Sequence, residues 1–541
     1  RATWTPVLVF SPADKTSLYL GTQYVMKTTD GGLHWQTISP DLTGADPHAS
    51  TEGPVTTENA MQRGYGVVYT IAPSSLDANL IWAGSDTGRI HVTRDGGQHW
   101  TDVTPPALTP WSKISLIEAD HFDPATAYAA VDRHRLDDQK PYLYITHDYG
   151  KSWTLSIDGI PPHHFLRAVR QDPEQRNLRY AGTEFGIYVS FDDGAHWQPL
   201  QLNLPVTSIR DMDIHDSDLI VATHGRSFWI LDDIAPLRQA AAAAEHSSSA
   251  YLYAPPTAIR VDNDGFLGTP LPPEEPQAAN PPNGAILDYY LGQSASKVTL
   301  EILDSEGHVL RHYASAEQRP MHLPLLPIAE RWFPTPQTLD TTPGEHRFVW
   351  DLALGSPAPA GGEEGMMALF GFGNGPKVPP GSYTVRITAD GTTLSQPLHV
   401  TMDPRCTCTT AVLDDQYHLA QSIYAQSLDA RRAMAELDSV TGQLKKLDTP
   451  DAPASLRDAL HTALASLNKI RKGENPADES HPGAPFELRN AARRVDRRAL
   501  RQLRDAHEAV FPNLALGGDH VVGDLRPRLH EILTLPMHHR D

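Results

Sequence analysis

At 541 residues the chain is too long for one compact core and implies two to four domains. Its 40% apolar content and formal charge of −21 describe a globular chain and exclude a nucleic-acid partner, whose phosphates would be repelled. No run of about 18 apolar residues is present, so no transmembrane helix is expected.

The chain begins on Arg1 and runs at once into the strand-like "WTPVLVF". That start reads as a cut, and a signal peptide is neither expected nor excluded by it. Nearly the same turn is then spelled four times: "TTDGGLHW" at 28–35, "TRDGGQHW" at 93–100, "THDYGKSW" at 146–153 and "SFDDGAHW" at 190–197. Each turn ends a run of about 40 to 65 residues, a period typical of solenoids and propellers. In the second copy, Tyr69–Pro73, Leu80–Gly84, Ile90–Thr93 and His99–Val103 read as four short strands joined by turn residues. Four antiparallel strands repeated radially predict the blades of a β-propeller.

The turn itself has mechanical work to do. Asp30, Asp95, Asp148 and Asp192 can accept backbone N–H groups of their own turn. Gly32, Gly97, Gly150 and Gly194 permit positive φ. Trp35, Trp100, Trp153 and Trp197 are expected to bury their rings between blades, each worth roughly 1.5–3 kcal/mol if fully buried. These twelve residues are assigned to structure rather than catalysis.

The S/T-x-D-x-G-x-x-W pattern resembles the Asp box, or bacterial neuraminidase repeat, of sialidases, xyloglucanases and sortilin-type receptors. The longer strings "IWAGSDTGRIHVTRDGGQHW", "GTEFGIYVSFDDGAHW" and "ATHGRSFWILDD" are similar to a bacterial family of large exported proteins with a sortilin-like propeller. Its members are often labelled glycosyl hydrolases on the strength of the repeats. The resemblance implies that the boxes mark the face away from any ligand site. It also implies export to the periplasm, cell surface or medium, and further blades before residue 1. Residues 205–233 supply three strands and no box, so an incomplete ring of four to five blades is expected, with open edges prone to association.

Residues 1–237 are therefore assigned to the propeller and the Ala/Ser-rich 238–250 to a linker, whose alanine run could form one helical turn or two but whose serines favour a flexible joint. Residues 251–403 return to strands, with hairpins turning at Glu306-Gly307 and Asp390-Gly391. An immunoglobulin-like β-sandwich is expected there. Residues 355–381 read as a long Gly/Pro-rich loop. Leu413, Tyr417, Ala420 and Tyr424 then recur at helical spacing, as do Leu456, Leu460, Leu464 and Leu467. They predict a helical hairpin over 411–473, with Ser455 capping the second helix. The tail, 474–541, is Arg/His-rich and is expected to be poorly ordered.

Aligning the repeats on "LGTQ", "AGSD", "AAVD", "AGTE" and "VATH" puts Gln23, Asp86, Asp132, Glu184 and His224 at one position. Each ends its second strand, on the face opposite the boxes. Arg89, Arg133, Arg135 and Arg226, with His134, lie nearby in sequence. A glycosidase needs one carboxylic acid to protonate the leaving oxygen and a second carboxylate about 5–9.5 Å away. Asp86, Asp132 and Glu184 are the candidates, Glu184 being expected to hold the raised pKa. The alternatives are ligand contact without chemistry, and structural pairing of these acids with Arg133, Arg135 and Arg226. The sialidase arginine motif has no match, and P-loop, GxSxG and HExxH motifs are absent.

The long 39–64 connection carries Asp41, Asp46 and Glu52, whose spacing fits no Ca²⁺ loop. The two cysteines, Cys406 and Cys408, are one residue apart, which is no zinc pattern, and two unpaired thiols are expected. No metal or cofactor is assigned. The leading expectation is a glycan- or peptide-binding propeller. A glycoside hydrolase and a non-catalytic surface scaffold are the alternatives.

Overall fold

Short apolar runs parted by Asp/Gly turns fold as antiparallel hairpins in the computed structural model. It describes residues 6–245, 249–261, 281–316, 337–355 and 375–447, with scattered positions between 457 and 468. Blade I is β1 (Leu8–Phe10), β2 (Leu18–Gly21), β3 (Val25–Thr28) and β4 (Gln36–Thr37). Blade II, preceded by the one-turn helix α1 (Thr57–Ala60), is β5 (Val68–Pro73), β6 (Ile81–Ser85), β7 (Ile90–Thr93) and β8 (Thr101–Asp102). Blade III is β9 (Lys113–Ala119), β10 (Ala127–Asp132), β11 (Leu143–Thr146) and β12 (Thr154–Leu155). Blade IV is β13 (Leu166–Gln171), β14 (Arg179–Thr183), β15 (Ile187–Ser190) and β16 (Gln198–Pro199). Blade V has three strands, β17 (Ile209–His215), β18 (Asp218–Thr223) and β19 (Phe228–Leu231).

Strands within each blade pair in chain order, and successive blades share apolar cores. Tyr19 and Val25 of blade I pack with Ile71, Ile81 and Ala83 of blade II. Trp82, Ile90 and Val92 of blade II pack with Ile117, Ala119 and Ala129 of blade III. One continuous core then joins blades III to V, from Tyr128 and Leu143 through Val169 and Tyr180 to Met212 and Val221. This radial stacking of meanders is a β-propeller fold. The inner strands border a cavity of about 640 Å³ whose lining runs from Val9 and Phe10 to Ile220 and Phe228. Among the described residues no strand ladder links blade V to blade I.

Antiparallel meandering fixes which loops share a face. The end of each second strand meets the start of the third, whereas the box turn follows the end of the third. Boxes and second-strand ends therefore lie on opposite faces.

Beyond blade V the alanines of the presumed joint are helical: α2 (Ala235–Arg238) is followed by α3 (Ala240–Glu245). Gln239 ties this segment to the next domain, donating to the Ala254 carbonyl at 3.0 Å and accepting its N–H at 2.9 Å. A sheet of β20 (Ala250–Leu252), β22 (Ala285–Leu291) and β25 (Gly344–Trp350) follows. A second comprises β21 (Ala258–Arg260), β27 (Thr392–Met402), β26 (Gly381–Ala389), β23 (Val298–Leu303) and β24 (Val309–Ala314). The two sheets sandwich Leu287, Tyr289, Trp350, Leu300 and Val385 in one core. The expected turns appear, with Gly307 at φ +86° and Asp390-Gly391 at +45° and +90°. Arg347 joins sandwich to propeller: it forks onto Asp288 and donates to the carbonyls of Asp232 and Asp233.

The chain divides into two compact units at His418/Leu419, inside α4 (Thr410–Leu447). In the first unit Leu413 is buried and Tyr417 packs on the sandwich core. Ser455, most of the second predicted helix, most of the 355–381 loop and the tail lie outside the described residues. No described helix is long and apolar enough to cross a membrane.

Candidate ligand site at the mouth of the propeller

The four boxes close on themselves. In the first, Asp30 takes the Thr28 hydroxyl at 2.8 Å and the His34 N–H at 3.0 Å, while the Gly32 N–H returns to Thr28 at 3.1 Å. The same bonds recur at Asp95, Asp148 and Asp192. Gly32, Gly97, Gly150 and Gly194 sit at φ +93°, +100°, +81° and +83°, where a Cβ would clash. The His34 and His99 backbone N–H groups hold Asp30 and Asp95 down at about 2, and the Ser152 hydroxyl does the same for Asp148. The indoles act across blades: Trp100 donates to the Ile38 carbonyl at 2.8 Å and Trp153 to that of Val103 at 2.7 Å. Trp197 reaches the Ser156 hydroxyl at 3.1 Å. Full burial of all four rings is not found: Trp197 is 4% exposed, whereas Trp35, Trp100 and Trp153 are half-buried.

On the opposite face, one bond repeats. The N–H of Asp86, Glu184 and His224 donates to the carbonyl of Val67, Phe165 and Ser208, pinning each residue beside the entry of its inner strand. A β-bulge recurs there too. The register of the first strand slips at Tyr69, Ser115, Arg167 and Arg210 in blades II to V, and such bulges re-aim side chains. These positions could have been found by aligning the first strands of the repeats as well as the second.

Arg167 dominates the mouth. Its side chain is only 8% exposed, and it donates to Asp132 Oδ2 at 2.7 Å and to Glu184 Oε2 at 2.8 and 3.1 Å. Ser208 donates to the same Glu184 oxygen at 2.8 Å. Asp132, with a 1% exposed side chain, also holds Lys113 at 3.3 Å and the His134 ring at 2.6 Å. Phe165 lies under this group, with the Arg167 guanidinium 4.7 Å from its ring centroid and His134 stacked at 5.1 Å.

The raised pKa expected for Glu184 is not found. Burial pushes its carboxyl up, but Ser208 and the Arg167 guanidinium outweigh it and leave it below the usual range. Asp132 is likewise lowered: His134, Lys113 and Arg167 together overcome its burial. Asp86 differs. Its main polar contact is the Val67 N–H at 2.8 Å, and burial raises its carboxyl.

The other predicted residues scatter. Gln23 donates to Asp41 at 3.1 Å. Arg89 turns outward to Asp102 at 2.9 Å, and Arg133 pairs with Asp138 at 3.4 Å over the Tyr142 ring. Arg135 and Arg226 are exposed. The carboxylates pair with Arg167 and Lys113, not with Arg133, Arg135 or Arg226. His224 meets Arg210 at 2.5 Å. Arg210 is exposed and makes no ion pair among the described residues. Three aromatics stand exposed on the same loops: Tyr24, Tyr65 and Phe185, at 40%, 41% and 39%. In the 39–64 connection, Asp41 and Asp46 accept N–H groups of their own turns. No cluster of three potential metal ligands occurs among the described residues.

No protein-family model matches the chain, and no curated protein is similar to it. Solved structures overlap it in part. The GH74 xyloglucanase of Xanthomonas campestris is 14% identical over 41% of this chain and 35% of its own, with a TM-score of 0.32. YCF48 bound to D1 peptide is 18% identical over 43% and 69%, with a TM-score of 0.28. The Cps50 (Swd1) β-propeller domain of Myceliophteria thermophila is 10% identical over 42% and 65%, at 0.30. The chain spans about a third of the xyloglucanase's length. At such values the propeller assignment rests on strand order and blade packing.

Proposed function

We propose that this chain is an exported, sortilin-like Asp-box propeller that binds a glycan or peptide at the mouth opposite its boxes. One observation carries the reading. Asp132 and Glu184 share the guanidinium of Arg167 and are held ionised, so neither stores the proton that a glycosidic leaving group needs. On the same face stand Arg210, which meets His224 and makes no ion pair among the described residues, and the exposed rings of Tyr24, Tyr65 and Phe185. Apolar ring faces with a few fixed polar groups suit a ligand that is held rather than cleaved.

A second reading has one observation in its favour. Asp86 alone among the three candidate acids has its carboxyl raised, as a general acid requires. The two readings part on a simple experiment. Array screening with glycans and peptides should yield a ligand whose affinity falls at least about tenfold in Arg210→Ala with Phe185→Ala, at unchanged melting temperature. Turnover of aryl-glycosides that disappears in Asp86→Asn, with folding intact, would overturn binding in favour of hydrolysis.

A further inference from the structure

Past the end of the first strand, blades II, III and IV share one need and differ in another. Ser74, Asp120 and Asp172 each accept an N–H two residues on and so hold their own turn. The next residue meets no such repeated need: it is Ser75, His121 and Pro173 in turn. These turns lie on the box side, at the other end of the inner strands from the mouth.

Ser75 and His121 meet across the boundary between blades II and III, Ser75 Oγ lying 3.4 Å from His121 Nδ1. The other ring nitrogen, Nε2, is 3.3 Å from Glu118 Oε1. Glu118 is fixed in its turn. Its Oε2 accepts Arg170 Nη1 at 2.7 Å, and Arg170 also donates to Asp211 at 2.9 Å and to the Met212 carbonyl at 2.6 Å. The His121 backbone is held as well, its N–H donating to Gln171 Oε1 at 2.7 Å. The His121 ring is 29% exposed, whereas the box histidines His34, His99 and His196, each paired with the Asp of its own turn, are 89%, 87% and 74% exposed. Ser75, Glu118, His121 and Arg170 belong to blades II to IV, each of which has a blade on either side within the chain.

A hydroxyl at one imidazole nitrogen and a carboxylate at the other is the arrangement that activates a serine nucleophile. It is recognised by geometry and not by sequence order, so the absence of a GxSxG string does not bear on it. We infer that Ser75, His121 and Glu118 form a second site, separate from the mouth, that hydrolyses carboxylic esters with an apolar acyl group. Ser75 Oγ bonds to the acyl carbon as its proton passes to His121 Nδ1; the ester C–O bond breaks and the departing alkoxide takes that proton. Water then yields a proton to Nδ1 while its oxygen bonds to the acyl carbon. The acyl–Oγ bond breaks, the carboxylic acid leaves, and Oγ regains the proton. Glu118 is a positioning residue: it holds Nε2–H and leaves Nδ1 open to accept. Ile71, Ala72, Pro73, Ile117 and Ala119 line the same cavity as the three, which suits an apolar acyl chain.

Burial pushes the His121 ring down, but Glu118 and Asp120 outweigh it and the Arg170 charge, leaving it above its ordinary 6.5. The neutral, proton-accepting ring therefore gains population as pH rises beyond that value.

The test is release of p-nitrophenol from its acetate and butyrate esters by the full chain, together with labelling by a fluorophosphonate. The wild type should turn over with an acid limb above pH 6.5 and carry the label on Ser75. Ser75→Ala should lower kcat/KM at least about a hundredfold and abolish labelling, at the wild-type melting temperature. His121→Gln should do the same. Glu118→Gln should lower kcat and move the acid limb to lower pH, and Glu118→Asp, which keeps the charge beside Arg170, should restore the limb. Turnover that Ser75→Ala leaves intact, a label on another residue, or a wild type inert toward both esters overturns the inference. So does an acid limb that Glu118→Gln leaves in place.

Discussion

The two faces of the propeller follow opposite rules. On one, the same hydroxyl–Asp–Gly turn is built four times with bond lengths that barely change. On the other, five equivalent strand ends carry five different residues, Gln23, Asp86, Asp132, Glu184 and His224. Repetition marks what the four four-stranded blades share, a clip for the outer hairpin. Divergence marks the face free to specialise, and Arg135, Arg210 and Arg226, exposed and without an ion pair among the described residues, stand there.

The comparison predicts different failures for changes on the two faces. Arg167→Ala, on the mouth, should have the largest effect, because it removes the guanidinium shared by the buried Asp132 and the part-exposed Glu184; a loss of about 3–5 kcal/mol is expected in denaturant titrations. A loss below about 1 kcal/mol would mean that water or Lys113 replaces it. Trp197→Ala, on the box face, should cost about 3–5 kcal/mol as well, but Trp35→Ala far less, since its ring is half-buried and makes no cross-blade bond among the described residues. Equal losses would break the link between indole burial and blade contact.

Where the repeat ends, Asp233 gives a pH signature. Burial raises its carboxyl to about 6. With the folded value above the unfolded one, its contribution is complete below the unfolded value of 3.8 and is lost as pH rises through 6. Asp233→Asn should therefore be more stable than wild type at pH 7, by of order 2 kcal/mol, and level with it near pH 4. Asn also tolerates the φ of +59° at this site. Parallel stability profiles would contradict this. The smallest effect is expected for Asp148→Ala, which should lower the melting temperature slightly and leave ligand affinity unchanged.

The boxes were legible in the sequence because the chemistry of their Asp turns is local: each bond of the turn spans four residues or fewer. Blade strands in the second repeat were legible for the same reason, the observed Ile81–Ser85 and Ile90–Thr93 falling within a residue of the pattern. Second-strand ends were found by aligning repeats with themselves. Arg167 escaped because its partners, Asp132 and Glu184, lie 35 and 17 residues away, and one of them is on another blade. Its position depends on a bulge, which a one-residue register slip creates without a sequence signal of its own. The fate of Glu184 escaped with it, since burial alone argues for a raised pKa and the overriding guanidinium was unseen. The linker's alanine run allowed one or two helical turns, and α3 supplies them. Serines at 247–249 suggested flexibility, whereas α3 ends before them.

If the clipped turns serve only as fasteners and the variable rim is where a guest is held, amide hydrogen exchange with and without the guest separates the two roles. The account predicts slower exchange at 184–186, 207–210 and 224–226, with 28–35, 93–100, 146–153 and 190–197 unchanged. Protection centred on those last four segments, with the Glu184 region indifferent, would contradict it.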